Sequence, residues 1–125
     1  MEERIARKAA KPPRVAPNLT DYEAACRSFS WDDAQRDLAG LPGGRGINIA
    51  HEAIDRHVES GQGARIALGL ISKDRSARTI SYAELQSLTS RFASALQRAG
   101  IERGERVFSL FGRVPELFIT ALGTW

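Results

Sequence analysis

One cysteine, one methionine and two histidines are all that 125 residues contain of those types, and each scarcity excludes something. A lone thiol, Cys26, can form no internal disulfide and belongs to no cysteine pair that would bind a metal, which points to a reducing compartment, the cytoplasm. His51 and His57 stand six apart and fall on different faces of any helix, whereas helical metal ligands pair at three or four; they read as surface or partly packed imidazoles. Long apolar runs are missing as well. The longest, Ile66 to Ile71, falls far short of the roughly 20 residues that cross a bilayer, so no membrane span is expected. The stretch Leu41-Pro42-Gly43-Gly44-Arg45-Gly46 is rich in glycine but lacks the Gly-Lys-Ser/Thr ending of a phosphate loop and follows no buried strand. It reads as a connector.

What is present is ordinary for a globular chain: 42% apolar and 26% charged residues, enough for one domain with a core. The net charge of +3 is unevenly placed. Residues 1–17 hold Arg4, Arg7, Lys8, Lys11 and Arg14 against Glu2 and Glu3, and the remainder has 13 basic and 13 acidic residues. A nucleic-acid binder gathers its basic residues on a folded face. Here the excess lies in a segment broken by Pro12, Pro13 and Pro17, which reads as a flexible basic leader, with no nucleic-acid partner expected.

Beyond the leader, Thr20-Asp21-Tyr22-Glu23 has the form of a capping box and predicts a helix to about Ser28, and Ser30 predicts a second through Leu38, ended by Gly40. Asn48 is a suitable cap for a helix reaching Glu59, with Ala50, Ala53, Ile54 and Val58 inward and Glu52 paired to Arg56 outside. The short apolar run of residues 65–71, a polar turn and residues 78–81 predict a β-hairpin. Ser81-Tyr82-Ala83-Glu84 repeats the capping box, followed by Leu85, Leu88, Phe92, Leu96 and Ala99 on one helical face up to Gly100. Residues 106–111 read as a strand buried on both faces, and Pro115 opens a last helix whose apolar side chains point all round its axis. Strand, loop and apolar helix begin a βαβ unit, whose return strand is absent. The fold class expected is therefore α/β and incomplete: helices, a β-hairpin and the start of a βαβ unit within a larger parent.

Four segments in register carry a resemblance. Asn48-Ile49-Ala50-His51-Glu52-Ala53-Ile54-Asp55-Arg56-His57, Ile80-Ser81-Tyr82-Ala83-Glu84-Leu85 with Leu88, Arg91, Phe92, Ala95 and Leu96, Gly104-Glu105-Arg106-Val107, and Arg113-Val114-Pro115-Glu116 resemble the amino-terminal part of the acetyl-CoA synthetases, ligases of the adenylate-forming superfamily. The resemblance covers about residues 18–125, with His51 standing where an aromatic would be expected. It implies that residues 18–125 form the amino-terminal segment of an adenylating domain, truncated relative to its parent. The parent would be an enzyme that makes acetyl-CoA from acetate, ATP and CoA through acetyl-adenylate, with Mg2+ at the phosphates.

The phosphate loop, the adenine and carboxylate pocket and the adenylating lysine of such enzymes have no counterpart in these residues. The resemblance thus implies no catalytic, cofactor-binding or metal-binding residue here, an inactive chain, and the rest of the parent as its partner. Arg113 is the one bolder candidate, since it follows a strand at the end where open α/β sheets receive ligands, but a surface arginine paired with Glu116 is the favoured reading. A second reading, a small non-catalytic module that docks through its apolar last helix, stays open.

Overall fold

A computed structural model describes residues 15–125, so most of the expected basic leader lies outside the described residues. The chain divides into two units, one ending at Arg36 and one running from Asp37 to Trp125. The described part of the first unit is helical. Helix α1, Tyr22–Ser28, is capped by Asp21, whose carboxylate accepts the Ala24 N–H at 2.9 Å. The sequence pattern had pointed to Thr20. Asp21 takes the role because the helix begins at Tyr22, which makes Ala24 the third helical residue, the N–H that a capping side chain reaches. Helix α2, Trp31–Arg36, starts at Ser30 as expected but ends before Leu38, and Phe29 and Trp31 meet edge to face at 5.0 Å.

In the second unit Asn48 caps a helical run by accepting the His51 N–H at 3.0 Å. The run widens into two π-type segments, His51–Asp55 and Val58–Gln62, instead of continuing as the expected α-helix. Wider turns shift which residues face inward. Ile54 is buried and Ala50 and Val58 are half-buried as expected, whereas Ala53 is exposed, which corrects its place on the inward face, and His51, expected at the surface or partly packed, is buried. Gly61, with φ of 80°, breaks the helical geometry where the chain turns toward the sheet.

The hairpin forms close to its expected bounds. Strand β1, Ile66–Ile71, pairs antiparallel with β2, Ala77–Ser81, in the register Leu68 to Ile80 and Leu70 to Arg78, with an irregularity between Ile66 and Leu68. Asp74 stabilises the turn by accepting the N–H and the hydroxyl of Ser76 at 3.0 and 2.7 Å, and both bonds hold its carboxyl below the usual range. Helix α3, Tyr82–Arg98, carries the complete capping box: Glu84 N–H donates to Ser81 Oγ, and the Ser81 N–H donates back to Glu84 Oε2 at 2.8 Å. Gly100, at φ of 83°, follows its end.

The core sits where the π-type run, the hairpin and α3 converge. Ile54, Ile80 and Leu85 are almost fully buried, with Leu68, Leu70, Ile119 and Leu122 packed around them. Helix α4, Pro115–Thr124, lies against α3, with Gly123 at the point of closest approach: a Cβ there would stand 2.7 Å from the Thr89 carbonyl oxygen and 3.0 Å from the Phe92 ring. Its apolar side chains are not enclosed on all sides. Phe118 and Trp125 remain 45% and 60% exposed.

Residues 106–111 do not form a strand. The segment is irregular, with Phe108 90% and Leu110 99% exposed. A strand exists only as one side of a hydrogen-bonded ladder, and among the described residues no neighbour lies alongside to make one.

Candidate functional site

Two places in the second unit gather side chains that could carry function. The first is the segment from Asn48 to His57, which the sequence marks as its most specific motif. Asn48 joins distant parts of the chain: besides capping the helical run, its Nδ2 donates to the Trp125 carbonyl oxygen at 2.7 Å. His51, only 6% exposed, holds Nδ1 3.7 Å from Asp55 Oδ2, and the other Asp55 oxygen accepts from Gln86 Nε2 of α3 at 2.9 Å. His57 lies with its ring 4.6 Å from that of Tyr82.

Glu52 is the hub of the same segment. One carboxylate oxygen accepts the Gly40 N–H at 2.6 Å, and the other accepts the Ala39 N–H at 3.2 Å and Arg56 Nη1 at 2.7 Å. The Arg56 guanidinium and then the two backbone donors hold the Glu52 carboxyl below the usual carboxylate range. Arg56 also donates to the Asp37 carbonyl oxygen. These residues hold the Ala39–Gly40 turn and the hairpin end of α3 to one helical run. Asn48, Glu52, Asp55 and Arg56 are each engaged by another part of the chain. The expected Glu52–Arg56 pair is present, but its principal work is to bind a turn rather than to decorate a surface.

The second place is a groove of about 480 Å³ between the hairpin and the start of α4. Residues 69–72 form one wall and Val114, Leu117 and Phe118 the other, with Arg78 and Arg113 on its lining. Pro115, fixed in φ, begins α4 directly after Val114 and so sets where Arg113 emerges. Arg113 makes no ion pair with Glu116; that carboxylate lies on a different groove, with Arg91 and Arg98. Sequence reasoning found Arg113 and missed Arg78. Thirty-five positions separate the two, and only the pairing of Arg78 with Leu70 across the hairpin brings the second guanidinium to this groove. No spacing rule could have signalled it.

The described residues include no group of three or more His, Cys, Asp or Glu arranged to hold a metal ion. No helix among them is long and apolar enough to cross a membrane. The loop at residues 41–46 closes on itself through the Leu41 N–H and the Gly46 carbonyl oxygen at 2.7 Å. Cys26 is exposed on α1.

Residues 54–125 match the model of the AMP-binding enzyme family. The chain is 36% identical over 107 residues to acetyl-coenzyme A synthetase of Bacillus subtilis, an alignment that covers 85% of this chain and 18% of that protein. It is 38% identical over 114 residues to acetyl-coenzyme A synthetase of Mycolicibacterium smegmatis, covering 83% of this chain and 12% of the other. Among solved structures, an acyl-CoA synthetase of Brucella canis superimposes with a TM-score of 0.71 at 36% identity, over 83% of this chain and 18% of that one. The α/β expectation is met in that form: helices and a two-stranded antiparallel sheet match an amino-terminal piece of the adenylate-forming fold. The chain spans less than a fifth of the length of these relatives.

Proposed function

Because this chain belongs to the AMP-binding enzyme family, we propose that it supplies the amino-terminal scaffold of an acetate–CoA ligase and performs no chemistry by itself. In the complete enzyme, a carboxylate oxygen of acetate attacks the α-phosphorus of ATP, which releases pyrophosphate and leaves acetyl-adenylate. The CoA thiol then attacks the acyl carbon, and AMP departs as acetyl-CoA forms. Both steps need oriented donors and cations around developing charge. The work we assign to the described residues is positioning. Glu52 and Asn48 hold their loops, the hairpin and α3 build the core, and α4 rides on α3. Residues 1–17 act as a leader outside the scaffold and 18–125 as the scaffold itself. ATP, CoA and a small carboxylate are the ligands of the complete enzyme, which works in the cytoplasm.

The observation that supports this reading is the internal engagement of the motif Asn48 to His57: the Asn48, Glu52, Asp55 and Arg56 side chains bond to separate parts of the chain. The decisive experiment replaces the matching segment of the Bacillus subtilis relative with residues 18–125 and measures acetate-dependent ATP–pyrophosphate exchange. The chimaera is expected to exchange and the isolated chain to show none. Exchange by the isolated chain, or a folded chimaera without activity, overturns the proposal.

A further inference from the structure

We draw no further inference here: the strongest candidate, the open groove between the hairpin and the start of α4 that carries Arg78 and Arg113, is an unpartnered face in a chain spanning under a fifth of its relatives' length, and nothing in the structure shows what covers it.

Discussion

Two stretches of this chain, residues 80–92 and residues 106–118, are comparably rich in apolar side chains, yet they meet opposite fates. In the first, Ile80 and Leu85 are buried against Ile54, and the capping box at Ser81 fixes the helix that carries them. In the second, Phe108 and Leu110 face water, and only α4, which follows them, finds α3. Amphipathic patterning explains the difference. An apolar stripe needs one partner face, and the hairpin with the π-type run supplies it. A segment apolar on several sides needs partners on all of them, and among the described residues it leaves Phe108 and Leu110 without any.

The comparison can be broken or sharpened by substitution, and the largest effect belongs to the first stretch. Ile54→Ala removes the most buried side chain of the core and should cost about 2–5 kcal/mol in chemical denaturation. A loss under about 1 kcal/mol would mean that this core is not what holds the second unit together. Gly123→Ala comes next, at about 1–3 kcal/mol, because the added Cβ meets backbone oxygen at Thr89, which yields less readily than a side chain. Gly123→Ser should be no milder, and a neutral result for both would show that α4 is free to move away from α3. Ser81→Ala should cost about 1 kcal/mol by removing the cap of α3, read as a lowered melting temperature.

Acid should act on the first stretch and its supports in a definite direction. Glu52 is depressed by Arg56 and by the Gly40 and Ala39 N–H groups, and Glu84 by the Ser81 N–H and hydroxyl. A carboxyl whose folded pKa is lowered contributes stability fully above its unfolded pKa of about 4.3, and that contribution is lost as pH falls through the folded value. The melting temperature should therefore hold near neutrality and drop below about pH 4.5, and Glu52→Gln should flatten part of that drop. A melting temperature that rises on acidification would contradict the assigned hydrogen bonds. The smallest effect belongs to the second stretch: Leu110→Ser should change stability by less than about 0.5 kcal/mol, since its side chain touches almost nothing. A larger loss would show that residues 106–111 have cover after all and would erase the contrast.

Much of the architecture was legible residue by residue. Ser81 with Glu84 announced α3, the polar turn around Asp74 announced the hairpin, and Pro115 announced α4, because caps, turns and fixed backbone angles are local and need no distant partner. The misreadings share a cause. Ala53 is expected in the interior from a 3.6-residue period, where the helix in fact widens, and that widening depends on what packs against it; His51, expected at the surface or partly packed, is buried. Residues 106–111 were assigned to a strand from their composition, which measures appetite for burial and says nothing of whether a neighbour is at hand. At the groove, Arg113 was visible from its place after an expected strand and before a helix, while Arg78 could be found only through the hairpin register.

The sequence by itself determined the helix starts, the turn and the hairpin, along with the family, since each is written in a few adjacent residues. Tertiary structure alone decided that Glu52 would hold a turn twelve positions away, that Asn48 would reach the carbonyl of Trp125, and that two arginines would share one groove. Those outcomes depend on where a folded backbone brings distant groups within hydrogen-bonding or ionic reach, a distance that the order of residues along a chain does not encode.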